Sequence, residues 1–199
     1  MNLRRRLPLL LAAAAFIAWG AWYGQRNACG PFPDWQSSPY VLPYPAGSAY
    51  HVNQSNCTNG GHQGPYKYSY DFVMPIGTKI MAARDGIVAD IRTTFRDGQH
   101  GLREANWVKI RHADGTIAAY SHLTARGALV NVGERVVAGQ PIALSGNTGN
   151  TGGLPHLHFH VSSCAEPADG CGTLPVTFRN TDANPDGLEA RRDYLARPY

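Results

Sequence analysis

The sequence predicts a mainly β fold built on antiparallel strands, on three observations. Glycine (22) and proline (14) are abundant in the 199 residues. Runs rich in Ala, Leu, Glu and Lys are scarce beyond the N-terminus, and the clearest periodicity is two, the repeat of a strand with one buried face. The strongest example is Pro155-His156-Leu157-His158-Phe159-His160-Val161, where apolar residues at 157, 159 and 161 alternate with three histidines. Such a strand places three imidazoles on one face.

The other elements follow in order. Residues 25–45, rich in Pro, Ser and aromatics, read as a tether that ends by packing on the domain edge, with folded structure beginning near Tyr44. Residues 48–65 have the composition of a loop, and His62 lies in it. Tyr66, Tyr68, Tyr70 and Phe72 alternate with polar or small residues, which predicts a strand over 66–74 with Asp71 on the face opposite the aromatic row. The tyrosines read as core and sheet surface. Strands are expected over 79–83 and 86–93 around the turn Arg84-Asp85-Gly86, where Asp85 reads as a turn residue. Residues 95–105 read as a loop over one face. A hairpin is expected over 106–112 and 116–123 around Ala113-Asp114-Gly115, then short pieces at 129–132, 135–137 and 139–144. The glycine-rich 145–153 is a loop, in which Asn147 and Asn150 serve either as loop formers or as contacts to a substrate backbone. A last strand is expected over 174–179 and some helical character over 188–195.

The N-terminus carries Arg4-Arg5-Arg6 and then an apolar run, 7–24, the pattern of an export signal. That run is also long enough to span a bilayer, with the arginines holding the N-terminus inside. A cleaved signal peptide and an inner-membrane signal-anchor helix both fit; Trp19, Trp22 and Tyr23, placed like an interfacial belt, favour the anchor. The organisation expected is thus 1–24 signal or anchor, 25–45 tether, 46–180 one domain, and 181–199 a C-terminal extension. Export places the chain in the periplasm or cell envelope, where four cysteines read as two disulfides. The short loop between Cys164 and Cys171 is the easiest to close, which leaves Cys29 with Cys57. A formal charge of +4 is scattered and forms no basic stripe with interleaved aromatics, so nucleic acid is not the expected partner.

A catalytic zinc takes three protein ligands from His, Asp and Glu and keeps a position open. His62, Asp71 and His158 supply such a set from a loop and two strands. His122 and His156 are then candidates for a general base and an oxyanion donor, in either order. Hydrolysis of amides is the chemistry that this set suits.

The motifs His62, Tyr68-Ser69-Tyr70-Asp71-Phe72, Met74-Pro75-Ile76-Gly77-Thr78, Ala82-Ala83-Arg84-Asp85-Gly86, Tyr120-Ser121-His122-Leu123, Gly146-Asn147-Thr148-Gly149 and His156-Leu157-His158-Phe159 occur in that order. Together they resemble the lysostaphin-type, LytM-domain zinc metallopeptidases, over roughly 45–180. The resemblance implies a lysostaphin-like antiparallel sheet (duplicated hybrid motif) that floors a narrow groove. It also implies Zn2+ on His62, Asp71 and His158, assistance from His122 and His156, and cleavage of peptide cross-links in bacterial peptidoglycan. Two departures stand out. The first histidine precedes the aspartate by nine residues rather than the commoner four, as in longer-loop members, which leaves His51 as a substitute. His160 stands where the family often has an acid or amide, as a core or rim residue or a competing ligand. Two other functions remain open on the same sequence: a cell-wall binding or amidase-activating module without catalysis, and a zinc peptidase of glycine-rich proteins.

Overall fold

Alternating segments pair wherever an apolar face can be covered, and here they build two sheets around one core. The computed structural model describes residues 29–168 and 170–199, and the expected signal or anchor helix over 1–24, with the first residues of the tether, lies outside them. Among the described residues no helix is long and apolar enough to cross a membrane. The strands are β1 (Ala49–Gln54), β2 (Ser69–Val73), β3 (Lys79–Met81), β4 (Gly86–Arg92), β5 (Trp107–Arg111) and β6 (Ile117–Ser121), followed by β7 (Leu123–Ala128), β8 (Arg135–Val136), β9 (Pro141–Ser145), β10 (His156–Ser162) and β11 (Arg192–Leu195). The large sheet runs β11-β1-β2-β10-β6-β5-β4-β8 and the small one β3-β9-β7. Neighbouring strands are antiparallel throughout.

The register explains the two faces. Tyr70, Phe159, Tyr120 and Val108 stand opposite one another across β2, β10, β6 and β5, all fully buried, and pack with Ile80, Ile142 and Ala143 of the small sheet in one core. Each such side chain contributes about 1.5–3 kcal/mol of burial. Because side chains alternate, the residues between them (Asp71, His158, Ser121, Trp107) form a row on the opposite face.

Several elements differ from expectation for identifiable reasons. The Arg84-Asp85-Gly86 turn carries the chain from the small sheet to the large one and closes no hairpin, since β3 pairs with β9 and β4 with β5 and β8. Tyr66 belongs to a 3-10 turn, Gly64–Tyr66, ahead of β2. The strand expected to run to Leu123 breaks at His122, whose φ is 65°. Residues 174–179 form no strand: Val176 and Phe178 are buried by an irregular segment whose neighbour Thr173 bridges to Ser162. Residues 192–195 are the edge strand β11 on β1 and not a helical turn, with Tyr194 buried. Within the tether segment, Tyr40, Val41, Leu42 and Tyr44 are buried, and Val41 N–H donates to Ala83 O at 2.8 Å. Cys164 and Cys171 form a disulfide, and no described cysteine is free.

Candidate functional site

β10 lies between β2 and β6, so its histidine face is flanked on both sides. In register, His158 stands opposite Asp71 on β2 and Ser121 on β6. His62 enters from the loop ahead of the 3-10 turn and His122 from the break after β6. Ligand atoms of His62, Asp71 and His158 all lie within 4.8 Å of one another. His122 and His156 close the cluster, with ring centroids 4.7 Å apart and that of His122 5.8 Å from His158.

Hydrogen bonds to backbone carbonyls fix three of these rings. His62 Nδ1 lies 2.9 Å from Ser55 O, His122 Nδ1 2.6 Å from Thr148 O and His156 Nδ1 2.8 Å from Leu154 O. A carbonyl only accepts, so each Nδ1 carries the proton and each neutral ring keeps a lone pair on Nε2. His62 Nε2 is buried without a hydrogen-bond partner and lies 3.2 Å from Asp71 Oδ1. With Nδ1 committed to Ser55 O, this contact is favourable when positive charge lies between the two atoms, a proton on Nε2 or a metal ion in its place. His158 completes the set, with Nδ1 2.9 Å from Asp71 Oδ1 and Nε2 3.1 Å from His160 Nδ1.

Burial alone raises the Asp71 carboxyl, but His158 and His62 at hydrogen-bond distance, and the nearby His156, hold it well below the ordinary carboxylate range. Burial, reinforced by His156 and His158, pushes the His122 imidazole down to about 3. His156 is lowered by burial in spite of Asp71, and His160 is lowered by burial and by the charge of His158. The site therefore pairs a persistent anion with buried rings at His122, His156 and His160 that resist protonation, electrostatics that suit a cation site.

The cluster lines a cavity of about 710 Å3. All five candidate residues meet there. His51 does not: it is exposed on β1, 2.7 Å from Asp193 of the edge strand β11. Asp85 is a turn residue whose carboxylate accepts from Ala138 N–H at 2.7 Å. Tyr66, read from the sequence as a sheet residue, sits edge-on to His160 at 5.5 Å and lines the cavity, as does Asn150. Arg92, Trp107 and Lys109 also line it, and no sequence pattern marks them, because Trp107 reads equally well as core. His160 is buried behind His158 as its hydrogen-bond partner.

The chain is similar to known proteins over part of its length. An uncharacterized metalloprotease of Buchnera aphidicola subsp. Baizongia pistaciae (strain Bp) is 35% identical over 126 residues, 62% of this chain and 30% of that protein. Peptidoglycan DD-endopeptidase ShyC of Vibrio cholerae serotype O1 is 43% identical over 89 residues, 45% of this chain and 18% of the relative. The chain thus spans less than a third of either relative's length. The structure of pseudoalterin, an M23 metalloprotease from the deep sea, has the same fold, with a TM-score of 0.52 and 16% identity over 73% of this chain and 80% of that one. The sequence pattern of peptidase family M23 matches residues 65–169, more than half of the chain, a stretch that holds Asp71, His122, His156 and His158. With that match added to the fold, the chain belongs to peptidase family M23.

Proposed function

We propose that the chain is a zinc-dependent endopeptidase that hydrolyses peptide cross-links of bacterial peptidoglycan. His62, Asp71 and His158 are the zinc ligands in this reading, and His122 and His156 handle protons. The observation that carries it is the meeting of the His62, Asp71 and His158 ligand atoms within 4.8 Å, with the buried, unpartnered Nε2 of His62 turned to the Asp71 carboxylate. Zinc held there supplies a Lewis acid that brings the pKa of a water near 7 and polarises a carbonyl. His158 offers Nδ1 to the metal and then carries its proton on Nε2, facing the Nδ1 of His160.

The remaining chemistry falls to the other two rings. Neutral His122 and His156 both present Nε2 as an acceptor, so either can take a proton from an attacking water. The imidazolium formed keeps its Nδ1–H on Thr148 O or Leu154 O and donates from Nε2, to a developing oxyanion or to the departing amine. Burial makes that imidazolium acidic, which favours handing the proton on.

The large sheet floors the groove as in a lysostaphin-type enzyme. The named activity of ShyC supports peptidoglycan as the substrate. A substrate of that kind places the chain in the cell envelope. The apolar run 7–24 behind Arg4-Arg5-Arg6 supports export, with retention at the inner membrane.

The test is incubation of the zinc-loaded full chain with purified sacculi, followed by mass spectrometry of the released muropeptides. Loss of cross-linked dimers, blocked by a chelator and by His158→Ala, is the expected result. Bound sacculi that stay uncut would point instead to a non-catalytic wall-binding module. Cleavage confined to a glycine-rich protein would overturn the substrate class.

A further inference from the structure

The row on the groove face continues past the histidines. His158 stands opposite Ser121, Ser121 opposite Trp107 and Trp107 opposite Arg92, on β10, β6, β5 and β4. Arg92 reaches this face through a bulge in β4 between Val88 and Asp90. Val88 is in the core, and strict alternation from it would turn Arg92 into the core as well. With the extra residue, Ile91 packs on the core while Asp90 and Arg92 face the groove, opposite Lys109 and Trp107.

The guanidinium is built in place. Its carbon sits 3.4 Å from the Trp107 ring centroid and its Nε donates to Ala105 O at 2.7 Å. Trp107 is itself held, with its indole N–H donating to Asp90 Oδ2 at 2.6 Å. Lys109, 4.5 Å from the centroid of the same ring, is occupied by Glu166 and by Ala165 O. Asp90 and Glu166 are the carboxylates near Arg92, and each has another donor. No ion pair among the described residues includes Arg92. An arginine fixed by stacking and by Nε, with its Nη edge unclaimed beside an open groove, is set up to receive a carboxylate through two parallel hydrogen bonds.

We propose that Arg92, seated on Trp107, is a specificity-determining carboxylate site in the groove, so that the substrate is an anionic peptide and not a neutral glycine chain. Three strand spacings separate its place from that of His158, roughly 14 Å. An extended peptide covers that distance in about four residues. The carboxylate recognised is therefore about that far along the substrate from the bond that is cut. That the bound peptide is cut rests on the endopeptidase reading above; the carboxylate site does not.

The test compares a cross-linked dimer of D-alanyl stem peptides carrying its free carboxylates with the same dimer in which they are carboxamides. Calorimetry on the zinc-stripped full chain is expected to show at least tenfold tighter binding of the carboxylate form. Arg92→Gln should reduce that preference to under twofold while leaving the carboxamide affinity in place, and Arg92→Lys should restore it only in part. With zinc, Arg92→Gln should raise KM on the carboxylate form about tenfold and leave kcat within twofold. Equal affinity of the wild-type chain for the two dimers, binding of neither, or a preference that survives Arg92→Gln overturns the proposal. A carboxylate preference without turnover upholds the subsite and removes the endopeptidase reading. Equal cleavage of both forms does the reverse.

Discussion

At the scale of single residues, His62 is decided by one proton. Its Nδ1–H is committed to Ser55 O, so Nε2 is the atom turned to Asp71, and once it gives up its proton its lone pair and the carboxylate can share one cation. His62→Ala should therefore drop bound zinc, measured by atomic emission on purified protein, from one ion per chain to near none. His51→Ala should leave it unchanged, because His51 is spent on Asp193 at the sheet edge. The sequence left these two histidines open, since loop spacing does not say which of them the chain folds back over β2. His122 carries a different expectation. It sits at φ 65°, a region costly for a side chain with Cβ, and the break it makes aims its ring at His156. His122→Ala should keep zinc and lower kcat by about 10²–10⁴, the range of a positioned general base or acid. Zinc loss in that variant would move His122 into the ligand set.

At the scale of elements, the cluster depends on a joint between the 95–105 loop, the break after β6 and the glycine-rich loop ahead of β10. Asn106, fully buried, is its centre: Nδ2 donates to Phe95 O and Leu123 O, at 2.8 and 3.1 Å, and Oδ1 accepts from Phe95 N–H at 3.0 Å. Asn106 N–H donates to Thr148 Oγ1, and Thr148 O in turn holds His122. Removing the amide leaves the part-buried N–H and O of Phe95 without their partner, while Leu123 O keeps the Thr148 hydroxyl, so Asn106→Ala should destabilise the chain by about 1–3 kcal/mol, read as a lowered midpoint in urea. A midpoint shift worth less than about 1 kcal/mol would show that water replaces the amide. Gly146 belongs to the same joint, since a Cβ there would lie 2.3 Å from Thr124 N. The elements themselves were legible where period two held, as in β2, β5, β6 and β10. The joint was not, because Asn106 reads from sequence as an ordinary residue at the start of a strand. The bulge that turns Arg92 outward was invisible for the same reason: one residue of slip leaves composition untouched.

At the scale of the whole molecule, the fold class and the meeting of five distant residues followed from alternation and motif order. Residues 174–199 did not, since their role is to cover a sheet edge and a core through tertiary packing rather than local propensity. Stability should carry two signatures of this architecture. The first is acid sensitivity from a histidine far from the metal cluster. His112 is buried, donates from Nδ1 to Asp85 O at 2.8 Å and is lowered by burial and by Arg84. Below pH about 6.5 the unfolded chain takes a proton there that the folded chain refuses, so stability falls with pH by at most about 1.4 kcal/mol per unit. His112→Asn, which keeps a donor for Asp85 O, should flatten the metal-free stability profile between pH 7.5 and 5.5; an unchanged slope would remove His112 as a source. The second signature is linkage to zinc. The ion binds the folded chain, because Asp71 and the histidines converge only after β2, β6 and β10 have paired. At free zinc a thousand times the dissociation constant this contributes about 4 kcal/mol. For a chain of this length that is about 8–16 °C in Tm. Chelation should lower the wild-type Tm by that amount, while Asp71→Asn should start near the chelated value and ignore the chelator. A wild-type chain that binds one zinc yet melts at the same temperature without it would mean that the ion binds the folded and unfolded chains alike, and so not at a site that only strand pairing assembles.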